Sequence, residues 1–142
     1  METIVKVGEF SPALQAQIDR DFCCVSPEAA LADSRLQRSV RGIITRSNYS
    51  VSAELVEALP ALRVIATCGV GYDGLPLALA ARLGVTVTNT PGVLDAAVCE
   101  LGIGLLLALL RDIPGADRHV RDGSWQGAIY PLANSLHGLR VG

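Results

Sequence analysis

Five apolar runs, at residues 4–7 (IVKV), 22–25 (FCCV), 42–45 (GIIT), 64–67 (VIAT) and 85–88 (VTVT), recur at nearly even spacing along the first part of the chain. Each is too short for a helix, and few of their positions alternate with polar residues, as expected of strands buried on both faces. The intervening segments carry helix signals. Ser11-Pro12 and Ser26-Pro27-Glu28 each place a capping hydroxyl before a proline suited to the first helical position. Ser52 caps AELVEALP, which Pro60 stops, and a helix over 75–83 has Pro76 at its start and Gly84 at its end. Strand and helix alternating at this spacing predict a doubly wound α/β lobe with a parallel sheet, complete in the first ninety or so residues.

After NTPG the pattern changes. Residues 95–111 predict one long helix, nearly all apolar, and DIPGADRHVRDGSW predicts a second with proline at its start. GAIYPLANSLHG is loop-like, and residues 139–142 (LRVG) are expected to open a strand, so the chain is expected to be cut where a further domain begins. The boundary between lobes falls in residues 90–94, giving domains 1–93 and 94–142. The most apolar run, LGIGLLLALL, is bounded by Glu100 and Arg111; it is too short to span a bilayer and is expected to be buried. METIVKVGEF has no signal-peptide core.

Half of the residues are hydrophobic and 18% are charged, which suffices for a core. The 12 basic and 14 acidic residues leave a net charge of -2, with no electrostatic reason to expect nucleic acid or an anionic membrane as partner. Cys23, Cys24, Cys68 and Cys99 form no C-x-x-C pair and have no histidine at ligand spacing. They are expected to be reduced, mostly buried thiols of a cytoplasmic protein, with no metal.

RVIATCGVGYDG runs a strand into Gly69-x-Gly71-x-x-Gly74, the spacing of a dinucleotide-binding turn. That turn requires an acid at the end of the next strand, to hold the ribose hydroxyls. The next strand ends VTVTNT, with Asn89 and Thr90 in that place. A second use is open to the loop. Gly69 and Gly71 tolerate positive φ, which lets consecutive N–H groups face one concavity and bind a small anion such as a carboxylate. The plain alternative is a tight strand-to-helix turn with no ligand.

The longer stretch LPALRVIATCGVGYDGLPLALAARLGVTVTNTPGVLDAAVCELGIGLLLALLR, with HVRDGSWQ and LHGLRVG after it, resembles the D-isomer-specific 2-hydroxyacid dehydrogenase family, nearest its glyoxylate/hydroxypyruvate reductase branch. The resemblance is strong over residues 42–142 and weak before them. It implies a flavodoxin-like substrate lobe, then a hinge helix, a dimerisation arm and the first strand of a truncated Rossmann domain. The implied reaction is hydride transfer between NAD or NADP and a small 2-keto or 2-hydroxy acid. In that family the GVG loop holds the substrate carboxylate, here through the amides of Val70 and Gly71. Arg46, in ITRSN, would sit at the same mouth, and Asp73 would fix the loop by hydrogen bonds. Asp95 and Val98 would approach the nicotinamide end of the cofactor. Many relatives carry threonine at the Asp95 position, and an acid there is equally a plain helix N-cap. Relatives often carry an acid where Pro76 stands.

The family's catalytic arginine, histidine and glutamate match nothing in this chain. His119 and His137 are expected to be structural or exposed. Trp125 would reach toward the active site of a partner in a homodimer built on residues 94–130. The rival reading is a non-catalytic α/β module that binds a small anion or dimerises through the long helix.

Overall fold

The computed structural model describes all 142 residues. The element order is β1 (Thr3–Lys6), α1 (Pro12–Asp21), β2 (Cys23–Val25), α2 (Pro27–Ala32), α3 (Ser34–Ser39), β3 (Val40–Arg46), α4 (Ala53–Glu57), β4 (Val64–Cys68), α5 (Leu77–Leu83), β5 (Thr86–Thr88), α6 (Asp95–Leu110), α7 (Ile113–Arg121) and a 3₁₀ turn at Ser124–Gln126. The chain divides into two compact units, Met1–Gly92 and Val93–Gly142.

The first unit is a five-stranded sheet in the order β2-β1-β3-β4-β5 with every pair parallel, so the doubly wound α/β architecture is present. Its core lies where Val5, Ile43 and Ile65 of the central strands meet Leu55 and Val56 of α4 and Leu79 of α5. Ser52 accepts a hydrogen bond from Leu55 N at 3.1 Å, the cap expected of it. Gly84 ends α5 at φ 69°, a left-handed turn that lets Val85 N reach the Ala80 carbonyl at 2.8 Å before β5 begins.

Several boundaries depart from expectation. The segment after Ser26 is two helices, because Asp33 turns its carboxylate onto Arg35 N at 2.7 Å and starts a new helix there. Ser11 makes no side-chain cap, although Pro12 still opens α1. Pro76 precedes α5 as its capping residue, and Asp95 is the first residue of α6 with Leu94 as its cap. Residues 139–142 form no strand. A strand is made by ladder pairing, and none of the sheet's ladders includes these residues. The cysteines are free but not mostly buried. Cys23, on edge strand β2, and Cys99, on α6, are exposed, while Cys24 and Cys68 are half-buried.

The second unit is α6, α7 and the turn around Trp125. Asp112 and Tyr130 are joined by a side-chain hydrogen bond. No helix of the chain is long and apolar enough to cross a membrane.

Candidate functional site

In an open parallel sheet, ligands bind beyond the carboxyl ends of the strands. Here β3 ends on Arg46, paired in register with Cys68 at the end of β4, and the glycine loop begins at the next residue. This loop is built from below and from one side. Gly69 has φ 136°, and a Cβ there would lie 1.7 Å from Ser47 Oγ, so only glycine fits. A Cβ on Gly74 would meet the Tyr49 carbonyl at 2.9 Å. Gly71 is different. Its φ is not positive, and a Cβ would meet Ser47 Cβ at 3.4 Å, an ordinary contact. The expectation that both Gly69 and Gly71 use positive φ therefore holds for Gly69 alone.

The loop is fixed by Asn89 and Thr90, which the sequence marked only for the acid they lack, and by Ser47. Thr90 N donates to the Gly69 carbonyl at 2.9 Å, and Gly69 N donates to Thr90 Oγ1 at 2.9 Å. Asn89 Nδ2 donates to the Val70 carbonyl at 2.9 Å, and Ser47 Oγ donates to the Cys68 carbonyl at 3.4 Å. Asp73, expected to fix the loop, makes no hydrogen bond to it. A signal was present in the pattern. Parallel pairing of Ala66 with Thr88 carries the residues just past β5 alongside the last residues of β4, which sets a polar Asn-Thr pair next to where the glycine turn begins.

The amides of Val70 and Gly71 donate to no group of the protein. Val70 is 47% exposed and Gly71 is half-buried. Arg46 is exposed, and one of its guanidinium nitrogens donates to the Glu9 carbonyl at 3.1 Å, which leaves its other donors free. With Glu9, Phe10, Ser11, Leu14 and Cys68 it lines a cleft of about 330 Å³. The exposed Asp73 carboxylate opposes an anion, though water and salt screen it.

The remaining named residues stand apart from this loop. His119 Nε2 donates to the Ala128 carbonyl at 3.0 Å and its ring packs against Tyr130 at 5.1 Å. His137 is exposed. Asp95 and Val98 lie exposed in the first turn or so of α6, and Trp125 is 59% exposed. Groups with shifted ionisation lie elsewhere too. Burial pushes the Cys24 thiol up, with neighbouring Asp19 adding to it. Asp122 is held below the usual carboxylate range by hydrogen bonds from the Ser124 hydroxyl and N–H. What the loop itself offers a ligand is its two unpaired backbone N–H groups.

The loop does not fit a dinucleotide. Asn89 occupies the place of the required acid, and the Gly69 amide is already used. A parallel sheet with a glycine loop at its carboxyl edge defines the class of architecture. Within it, residues 7–134 match the D-isomer specific 2-hydroxyacid dehydrogenase catalytic domain, and the chain belongs to that family. It is 42% identical over 123 residues to hydroxyphenylpyruvate reductase of Plectranthus scutellarioides, covering 87% of this chain and 36% of that protein. It is 36% identical to glyoxylate/hydroxypyruvate reductase A of Arabidopsis thaliana, covering 98% of this chain and 46% of that protein. The NADPH-dependent glyoxylate/hydroxypyruvate reductase of Sinorhizobium meliloti, solved in complex with NADP and malonate, superposes with a TM-score of 0.79 at 36% identity over 96% of this chain and 44% of that one. The chain thus spans less than half the length of these relatives.

Proposed function

We propose that the chain is the substrate-binding part of an NAD(P)-dependent D-2-hydroxyacid dehydrogenase acting on a small 2-keto or 2-hydroxy acid of the glyoxylate or hydroxypyruvate type. The observation that carries this reading is the pair of adjacent N–H groups of Val70 and Gly71, without protein acceptors, at the carboxyl edge of a parallel sheet. Charge-assisted bonds from such amides hold a carboxylate without adding a titrating group. Arg46, close by in register, attracts the anion and offers further donors. When bound, a nicotinamide cofactor supplies or takes the hydride. This chain's residues bind and orient the acid. We assign Asp95 and Val98 to the nicotinamide end on the strength of the family resemblance.

The division of labour follows the same lines. Residues 1–93 serve as the substrate lobe, and 94–142 as hinge helix and dimerisation arm. A homodimer covers α6, with Trp125 as an aromatic anchor reaching toward the partner's site. Four free cysteines fit a reducing compartment, and we place the protein in the cytoplasm.

Two measurements test this. Titrating the ¹⁵N-labelled chain with malonate is expected to shift the Val70 and Gly71 amide resonances most; silence at both overturns the carboxylate assignment. The 142-residue chain alone is expected to oxidise neither NADH nor NADPH with glyoxylate or hydroxypyruvate, since it lacks a fitting dinucleotide loop and a matched proton donor. Turnover above background overturns the placement of the catalytic groups outside these residues.

A further inference from the structure

We propose that Asn89 and Thr90 are the positioning residues of the anion loop: by pinning the carbonyls of Gly69 and Val70 they set the direction of the two N–H groups that hold the carboxylate. The proposal rests on the assignment of those amides to the carboxylate.

A peptide unit is planar, and when trans its carbonyl and its N–H point in opposite directions. No peptide bond in the chain is cis. The unit joining Gly69 to Val70 has its carbonyl held by Thr90 N at 2.9 Å, so the Val70 N–H points away from Thr90. The unit joining Val70 to Gly71 has its carbonyl held by Asn89 Nδ2 at 2.9 Å, so the Gly71 N–H points away from the Asn89 amide. In an extended strand, successive carbonyls point to opposite sides. Here two successive carbonyls are engaged by adjacent residues just past β5, so both N–H groups face away from the groups that hold their carbonyls. That is the arrangement of an anion-binding concavity. Thr90 Oγ1 adds a third tie by accepting the Gly69 N–H, which takes that amide away from ligand.

The residue type at position 89 follows from this. Only a donor can hold the Val70 carbonyl, and an ionised carboxylate is acceptor-only. An aspartate there would turn lone pairs toward the carbonyl and place a negative charge near the bound anion. The acid that a dinucleotide turn requires at this place would therefore oppose the job Asn89 does.

The test is malonate titration of the ¹⁵N-labelled chain, wild type against the near-isosteric N89D and against T90V and T90S. In the wild type, the Val70 and Gly71 amides are expected to shift along one saturation curve. In N89D, the Gly71 response is expected to shrink and malonate affinity to fall about ten-fold, the loss of one charge-assisted donor. The Val70 unit, still held by the Thr90 main chain, keeps its full shift at saturation, and amides of β3 and β4 stay at their wild-type positions. T90V is expected to loosen Gly69 and weaken binding, and T90S to restore it. A merely structural role would move the Val70 and Gly71 responses equally. Wild-type amides that ignore malonate overturn the carboxylate reading itself. Wild-type amides that respond, with N89D and T90V binding malonate as tightly as wild type, overturn the positioning role alone.

Discussion

The two compact units differ in what their apolar residues touch. Every buried residue of the chain lies in the first unit, and none lies from Val93 onward, although the second unit holds the most apolar helix. In the first unit apolar side chains are placed by strand alternation and by one face of each helix, so sheet and helices can close on each other. On α6 they occupy every side. Leu101, Ile103, Leu105 and Leu109 are 63%, 58%, 62% and 78% exposed, and nothing lies within 4 Å of where a Cβ on Gly102 or Gly104 would sit. Apolar content alone does not make a core; two surfaces must oppose each other. A helix apolar all round needs cover on every side, and α6 has none of its residues buried.

The largest expected effect tests that contrast directly. Ile65 is fully buried on the interior strand β4, and Ile65→Ala should cost about 2–5 kcal/mol. Leu105→Ala should move the unfolding of the sheet by less than about 0.5 kcal/mol. Urea denaturation followed by hydrogen exchange at β3 and β4 amides reads the sheet alone. Equal losses for the two variants would break the comparison by showing that α6 carries core in the isolated chain.

Next in size is the cover itself. If a second copy supplies it, light scattering should show a dimer at micromolar concentration, and Trp125→Ala should weaken it by about 2 kcal/mol or more, the scale of an aromatic anchor. The chain has one tryptophan, so its fluorescence reports on this unit without interference from other indoles. A monomer, or an unchanged dimer in the variant, rules out the anchor.

The sheet was legible in the sequence because its strands are short apolar runs punctuated by Ser-Pro, Pro and Gly84, and local chemistry fixes such boundaries. The break at Asp33 was not, because a carboxylate choosing Arg35 N over a continued helix is decided within hydrogen-bond distance. At the loop, the glycine spacing was visible but its reasons were not. Gly69 and Gly74 are demanded by Ser47 and Tyr49, which lie some twenty residues away in the chain and are brought near by β3 and β4. Asn89 and Thr90 were first read for the acid they lack. Their donors and acceptors matter only once β5 lies beside β4. The final residues, read as a strand, show the converse: strand-like composition produces no strand without a partner ladder.

Within the first unit, the loop offers a finer version of the same contrast between enclosed and open positions. Gly69→Ala should cost about 1–3 kcal/mol, because it combines positive φ with a 1.7 Å approach to Ser47 Oγ. Thermal unfolding of the variant measures it, and an unchanged midpoint would mean that Ser47 and the loop relax freely.

The smallest expected effect on stability is at Gly71. Its φ is not positive and an added Cβ meets only ordinary contacts with Ser47 and Asp73, so Gly71→Ala should shift stability by less than about 1 kcal/mol in either direction. The enclosed glycine serves the fold, whereas Gly71 is not demanded by it, and under the carboxylate proposal its bare Cα keeps bulk away from its amide. Gly71→Ala is therefore expected to weaken the malonate response while the unfolding curve stays in place, and Gly71→Val to weaken it further by bulk at the N–H. Strain from positive φ plays no part here. A variant that loses as much stability as Gly69→Ala would show that both glycines are structural, and one that binds malonate like the wild type would remove Gly71 from the carboxylate site.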